Sequence, residues 1–103
     1  RIQLNSKMDD FIRIVQFRNN PQQANSISGN YIISMAEDAN GNLWFGAYGQ
    51  GLNLLHEQKD SVSFTKFTSR NGLSNNIVYS ILPDTSGNIW LATDNGLSRL
   101  DTR

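Results

Sequence analysis

Two aspartates, Asp38 and Asp84, stand 46 residues apart in nearly the same local sequence. Paired carboxylates are the groups with which glycosidases perform acid and base chemistry. Each aspartate, however, is followed by Gly-Asn and then by tryptophan, so both occupy the same kind of turn. An Asp side chain in such a turn accepts hydrogen bonds from nearby backbone N–H groups. Because equivalent turns lie one repeat apart, we expect both carboxylates to cap turns rather than to act together on a substrate.

Other reactive groups are scarce. His56 is the only histidine and there is no cysteine, so neither a transition-metal site nor a Ser/His/Asp triad is expected. Residues 38–42 resemble the start of a calcium loop, but the glycine falls too early and no glutamate follows at the far end. The glycines at 46, 49 and 51 lead into a strand-like run, so they indicate a turn and not a dinucleotide site. The sequence therefore predicts no catalytic residue, no metal and no cofactor.

The strongest pattern is an internal repeat. Residues 25–48 recur at residues 71–94 without a gap, and eight of the 24 aligned positions are identical. The repeat signature consists of Asp38, Gly41, Asn42 and Trp44 in the first copy and of Asp84, Gly87, Asn88 and Trp90 in the second. A period of about 40 to 50 residues built from short strands is typical of the blades of a β-propeller.

Each copy of the repeat reads as a series of short strands. Apolar, partly β-branched runs predict inner strands, Gly-bearing turns separate them from the next strands, and polar alternation marks an outer strand. No window keeps the helical spacing of apolar residues. The chain is therefore expected to be all-β, with about two four-stranded antiparallel blades. The predicted strands are 31–36, 43–47, 52–56 and 62–67 in the first copy, 77–82, 89–93 and 97–101 in the second, and an earlier outer strand at 11–17.

The repeat also predicts where the blades divide. Residues 1–17 are assigned to the end of a preceding blade with its outer strand, and residues 18–67 to the first full blade. Residues 68–103 form a second repeat, truncated after its third strand. Repeat units cannot bury their apolar faces alone, and about three are generally needed for stability. We therefore expect contacts with other blades of a longer parent, or self-association of the chain.

Composition excludes several kinds of partner. Nine Lys and Arg residues balance nine Asp and Glu residues, and no basic stripe is present. Nucleic-acid binding is not expected, because it requires clustered cations. No apolar run approaches the roughly 20 residues that a membrane-spanning helix needs, so this segment is expected to make no membrane contact.

The repeat resembles a known family. The string Asp84-x-x-Gly87-Asn88-Ile89-Trp90, with residues 71–81 before it and 95–101 after it, resembles the two-component regulator propeller repeat. The first copy is similar through residues 25–28, 38–46 and 49–53. Such repeats usually fill the periplasmic sensor region of hybrid two-component systems in Bacteroides and related bacteria, which detect oligosaccharides released from glycans. The resemblance implies a periplasmic, ligand-sensing propeller fragment that signals to attached domains, with any histidine kinase activity outside this chain.

Ligand contacts are expected on the loops that join the second strand to the third and the outer strand to the next inner strand, because these loops project from the same end. Amides, an acid and a tyrosine suit a hydroxyl-rich ligand. The candidate residues are Tyr48, Gln50, Asp94, Asn95, Arg70 and Asn20.

Alternatives to this interpretation remain open from the sequence. Trp44 and Trp90 could stack on sugar rings, although their fixed repeat position favours packing between blades. A propeller lyase or hydrolase acting on polysaccharides would need carboxylates, a Tyr or His base, or a metal converging at the axis. A protein-interaction scaffold would favour exposed aromatic and Arg anchors on one face.

Overall fold

A computed structural model of the chain describes residues 2–4 and 12–103. This part of the chain forms antiparallel strands and one short 3-10 turn, Ser69–Asn71, and none of its helices is long and apolar enough to cross a membrane. The chain is all-β, as predicted. The strands are β1 (Ile2–Leu4), β2 (Ile12–Ile14), β3 (Ile32–Glu37), β4 (Leu43–Ala47), β5 (Gly51–Glu57), β6 (Val62–Phe67), β7 (Val78–Pro83), β8 (Asn88–Thr93) and β9 (Gly96–Asp101).

The strands form three separate sheets. β1 pairs with β2, β3 to β6 form a four-stranded meander, and β7 to β9 form a three-stranded meander. We call the second sheet the first blade and the third sheet the second blade. Both inner strands begin one residue later than predicted, and the ladder is irregular at the same repeat position, between Ile32 and Ser34 and between Val78 and Ser80. The strand predicted at 11–17 is shorter in the structure, because β2 ends at Ile14 and residues 15–17 are not in a strand; Phe11 lies outside the described residues.

The core lies between the two blades. Trp44 and Leu52 on the first blade are 2% and 0% exposed, and Val78 and Leu91 on the second are 0% and 2% exposed. Leu73, Ile81 and Ile89 belong to the same cluster. Full burial of a side chain of this size stabilises the fold by about 1.5–3 kcal/mol. The cluster of buried apolar side chains therefore lies at the contact between the two blades.

Polar contacts also join the blades. The Ser34 hydroxyl donates to the Val78 carbonyl at 2.7 Å, and the Gly51 N–H donates to the Asn76 carbonyl at 2.9 Å. Gly46 allows this close approach, because a Cβ at its position would lie 2.8 Å from the Val78 carbonyl oxygen. The small residue two positions after Trp44 is therefore required by the neighbouring blade.

The signature aspartates cap their turns. Oδ1 of Asp38 accepts the N–H groups of Asn40 and Asn42, both at 2.9 Å, and Oδ2 accepts the indole N–H of Trp44 at 2.9 Å. Gly41 takes a φ of 82° in this turn, which favours glycine. The Asp-x-x-Gly-Asn-x-Trp string thus ties the turn to the tryptophan that enters the core.

The second copy repeats this capping. Oδ1 of Asp84 accepts the N–H groups of Ser86 at 2.8 Å and Asn88 at 3.0 Å, and Oδ2 accepts the indole N–H of Trp90 at 2.9 Å. These bonds, led by the one from Trp90, lower the pKa of Asp84 to about 2. Burial raises the pKa of Asp38, but the bonds from Trp44 and the backbone outweigh it and the net pKa is lowered. Both carboxylates are therefore structural anions of their turns.

Candidate ligand-binding surface

Three tyrosines and an aspartate gather at one end of the two blades. The Tyr48 N–H donates to the Tyr31 carbonyl at 2.8 Å, which brings the end of β4 beside the start of β3. The corresponding bond in the second blade joins the Asp94 N–H to the Ile77 carbonyl at 3.1 Å, next to Tyr79 on β7. We call Tyr31, Tyr48, Tyr79 and Asp94 the tyrosine cluster.

The cluster has an aromatic half and a polar half. In the first blade, the rings of Tyr31 and Tyr48 lie 5.4 Å apart between centroids, with their planes inclined at 32°. In the second blade, the Tyr79 hydroxyl donates to Oδ1 of Asp94 at 3.1 Å. Tyr31, Tyr48 and Tyr79 are 68%, 47% and 52% exposed. Exposed aromatic rings in contact with one another form a platform that is open to a ligand.

The hydrogen bond within the polar half affects the ionisation of Tyr79. The hydrogen bond to Asp94 is the main cause that raises the pKa of Tyr79, followed by burial and by the negative charge of Asp94. Tyr79 is therefore a neutral hydrogen-bonding group at physiological pH, and Asp94 has its acceptor oxygen already oriented.

This arrangement suits a hydroxyl-rich ligand. Tyrosine supplies a rigid apolar face together with a polar tip, and it loses little conformational entropy on binding. A carboxylate accepts hydrogen bonds at two oxygens, of which only one in Asp94 bonds to Tyr79. A sugar can place its C–H face against the rings and its hydroxyls against the carboxylate.

Of the six predicted contact residues, two belong to the tyrosine cluster and the other four lie outside it. Tyr48 and Asp94 are in the tyrosine cluster. Gln50 follows Tyr48 in the same turn and packs beside Gly29, where a Cβ would lie 3.0 Å from its side chain. Asn95 and Arg70 are exposed, and their N–H groups donate to the hydroxyls of Thr93 and Thr68. These five positions keep the contact role as a prediction.

Asn20 is engaged within its own loop. Its Oδ1 accepts the Gln22 N–H at 3.0 Å, and its backbone N–H donates to the Ser26 hydroxyl at 2.9 Å. The side chain thus helps to hold the loop at residues 20–26, which is the longer of the two linkers between an outer and an inner strand. Its predicted contact with ligand remains a prediction.

Sequence reasoning assigned Tyr31 and Tyr79 to the inner strands and did not consider them as ligand contacts. A signal was present in the repeat itself. At the offset of 46, Tyr31 aligns with Ile77, Tyr48 with Asp94, and Tyr79 with Ile33. The cluster thus consists of positions at which the two copies differ in kind, whereas the signature positions Asp38, Gly41, Asn42 and Trp44 are identical in both copies.

The tryptophans lie away from this cluster. Trp44 is buried between the blades, where its ring stacks on Phe67 with centroids 5.9 Å apart. Trp90 is half-buried on the free face of the second blade, with the Arg99 guanidinium 5.8 Å above its ring. His56 is exposed on β5 and its Nε2 lies 2.7 Å from the Thr65 hydroxyl.

Consecutive antiparallel meanders of up to four strands that pack face to face are typical of the blades of a β-propeller. The family model described as two component regulator propeller matches residues 26–49 and 72–95, which are the two copies of the repeat. The chain belongs to this family of propeller repeats. Both the predicted fold class and the predicted family are confirmed.

Solved structures agree with this assignment. The extracellular domain of BT4673 from B. thetaiotaomicron, described there as a hybrid two component system, matches 95% of the chain at 32% identity with a TM-score of 0.58. A second structure, described as a one component system of the same name, matches 73% of the chain at 38% identity with a TM-score of 0.56. The chain spans only 10% to 12% of those structures. No curated protein matches the chain.

Proposed function

We propose that the chain is part of the periplasmic sensor propeller of a hybrid two-component system and binds a glycan-derived oligosaccharide at the tyrosine cluster. The tyrosine cluster is the observation that carries this proposal, because it exposes three aromatic rings and one oriented carboxylate at one end of neighbouring blades. The extracellular position of the solved relatives supports a sensing role outside the cytoplasm. Signalling then passes to domains beyond this chain.

Binding without chemistry is the expected activity. The signature aspartates are engaged with their own turns and tryptophans, so neither is available as a general acid or base. The Asp94 carboxylate accepts a hydrogen bond from a tyrosine hydroxyl, and it can accept one from a ligand hydroxyl in the same way. The ligand is therefore expected to leave the site unchanged.

Calorimetric titration of the chain with a panel of glycan-derived oligosaccharides tests the proposal. We expect at least one member to bind, and Tyr48→Ala to weaken that binding about ten-fold or more, as the loss of a central aromatic contact does. His56→Ala is the control, because His56 is exposed near the far end of β5 and its removal should leave the affinity unchanged. Chromatography of the sugar after incubation would reveal cleavage, which would favour the enzyme alternative. Absence of binding across the panel would overturn the proposal.

A further inference from the structure

The outer edge of β9 pairs with no strand in the described part of the chain. β9 forms a ladder with β8 only, whereas the corresponding strand of the first blade, β5, pairs with β4 on one side and with β6 on the other. The ladder between β5 and β6 runs from Leu52↔Phe67 to Glu57↔Val62. A sheet edge without a partner presents backbone N–H and C=O groups to which another strand can bond. The second blade therefore has room for a fourth strand beside β9.

An apolar cleft lies beside this edge. It has a volume of about 90 Å³ and is partly open to solvent. Its apolar lining comes from Leu52, Phe67, Leu73, Leu91 and Leu100. Burial of a further apolar group against these side chains is favourable, because it removes apolar surface from water.

In the first blade, Phe64 on β6 has the corresponding surroundings. It is 8% exposed, and it lies opposite Leu55 in the ladder with β5. Its ring is 6.5 Å from that of Phe45 and 6.0 Å from that of Phe17 between centroids, both in edge-to-face contact. Its N–H donates to the Asn25 carbonyl at 2.9 Å. Phe64 thus attaches the outer strand both to the sheet and to the linker before β3.

The repeat relates the surroundings of Phe64 to the lining of the cleft. The residues around Phe64 and the corresponding residues that line the cleft are Asn25 with Asn71, Ile27 with Leu73, Phe45 with Leu91 and Leu55 with Leu100. Phe17 comes before the linker to β3, as Phe67 comes before the linker to β7. The cleft is therefore the counterpart, in the second blade, of the site that Phe64 fills in the first.

We infer that the second blade binds an extended polypeptide segment, which adds antiparallel to β9 and places an aromatic side chain in the cleft opposite Leu100. The segment shares the pattern of β6, in which the aromatic Phe64 stands between the polar Ser63 and Thr65. Successive side chains of a strand point to opposite faces, so the aromatic residue enters the cleft while its polar neighbours face away from it. In strand addition, backbone hydrogen bonds supply affinity and pockets for alternate side chains supply specificity.

The occupant is a partner polypeptide and not a second copy of the described sheets. β6 of a second copy is already paired with β5 along its length. β2 has the opposite pattern, because Arg13 stands between Ile12 and Ile14. The inference is independent of the ligand proposed at the tyrosine cluster, since neither Tyr79 nor Asp94 lines the cleft.

Binding of a fluorescently labelled peptide with the sequence of residues 60–67, measured by anisotropy against the full chain, tests this inference. We expect saturable binding, and Phe64→Ala in the peptide should weaken it about ten-fold or more, as the loss of an aromatic anchor does. Ser63→Ala in the peptide is the control, because that side chain faces away from the cleft. All substitutions are in the peptide, so the fold of the chain is the same in every titration.

N-methylation of the peptide separates strand addition from simple apolar docking. In β6 the Phe64 N–H points to the Asn25 carbonyl and not to β5, so the N–H of Thr65, the next along the strand, points to β5. A methyl group on the Thr65 nitrogen should therefore abolish binding, although the aromatic ring is retained.

Hydrogen exchange of the chain locates the bound peptide. Exchange of the β9 amides should slow in the complex, whereas β3, an edge strand of the first blade, should exchange as before. Absence of binding, equal affinity of the Phe64→Ala peptide, or binding that survives N-methylation would each overturn the inference. Protection of β9 without peptide, together with a doubled mass in light scattering, would show that a second copy occupies the edge and would overturn it as well.

Discussion

The same face of the repeat is covered on the first blade and uncovered on the second. Trp44 and Leu52 are 2% and 0% exposed, whereas Leu97, which corresponds to Leu52, is 65% exposed and Trp90 is only half-buried. The local turn is nevertheless the same, because both tryptophans donate to their aspartates at 2.9 Å. The comparison shows that the repeat sequence fixes the turn and the orientation of the tryptophan, while the neighbouring blade supplies the burial.

The two faces also differ in the sizes of their side chains. Where the covered face has Ala36 and Gly46, the uncovered face has Leu82 and Ala92. A Cβ at Gly46 would lie 2.8 Å from the Val78 carbonyl oxygen, so Ala92 requires a partner that stands further away or is shaped differently. We therefore propose that the uncovered face packs against another blade of the propeller. The face of that blade differs in shape from the face that the second blade turns towards the first.

Replacing the two tryptophans should give the largest contrast. Trp44→Ala is expected to lower the free energy of unfolding by about 3–5 kcal/mol, because it removes a large side chain from the core and leaves a cavity. Trp90→Ala should cost far less, since its ring contacts solvent and Arg99 on a free face. Urea denaturation followed by circular dichroism measures both. Equal losses would mean that the uncovered face is occupied in solution.

The small residue after each tryptophan should show the next largest contrast. Gly46→Ala is expected to destabilise the chain by about 1–3 kcal/mol, because the added methyl group meets the Val78 carbonyl in a packed core. Ala92→Gly is the matched change on the uncovered face, and it should alter stability only through the strand preference of alanine over glycine. The same denaturation experiment applies. A neutral Gly46→Ala would show that the blades are not in close contact at this point.

Replacing Ser34 and Ser80, which correspond in the two copies of the repeat, should give a smaller contrast in stability. Ser34→Ala removes the hydroxyl that donates to the Val78 carbonyl at 2.7 Å, and the expected loss is about 0.5–1.5 kcal/mol. Ser80→Ala changes the corresponding exposed residue of the second blade, so we expect stability to stay the same. Comparing the two denaturation midpoints tests the contrast. A larger loss from Ser80→Ala than from Ser34→Ala would contradict this assignment of the interface.

The capping aspartates predict a dependence of stability on pH. Their pKa values are lowered in the folded chain, that of Asp84 to about 2 from an ordinary 3.8. Stabilisation by such a group is fully present above its unfolded pKa and is lost as the pH falls through the folded pKa. The urea midpoint should therefore decrease between about pH 4 and about pH 2. Asp84→Asn should flatten part of this decrease, and an unchanged profile in Asp84→Asn would contradict the role of its charge.

Local sequence signals predicted most of the fold, but only two members of the tyrosine cluster were among the predicted ligand contacts. The turns, the second strands and the outer strand follow from local signals such as Asp38, Gly41 and the alternation in 62–67, so their positions were predictable. The bond between Asp38 and the Trp44 indole was not, because it joins a turn to a side chain that is placed by packing. Tyr48 and Asp94 were chosen as loop residues with polar tips. Tyr31 and Tyr79 were missed because an aromatic residue in an inner strand usually packs in a core.

Self-association of the chain remains a prediction. Its first blade exposes Met35 at 65% and its second exposes Leu82 at 64%, so both outer faces present apolar surface. However, if the first blade of a second copy packed on the uncovered face, Ile32 would take the place of Val78 and Ala92 would take the place of Gly46. Both residues are larger than those at the contact between the two blades of one chain. We therefore expect association between copies to be weak, and light scattering over a range of concentrations measures it.

The most direct test of the difference between the two faces is acrylamide quenching of tryptophan fluorescence in the variants Trp44→Phe and Trp90→Phe. Each variant retains one tryptophan, so each reports on one face. We predict that the tryptophan left in Trp90→Phe emits at shorter wavelength and resists quenching, and that the one left in Trp44→Phe is quenched readily. Equal quenching of the two in a folded, monomeric chain would contradict the account of one covered and one uncovered face.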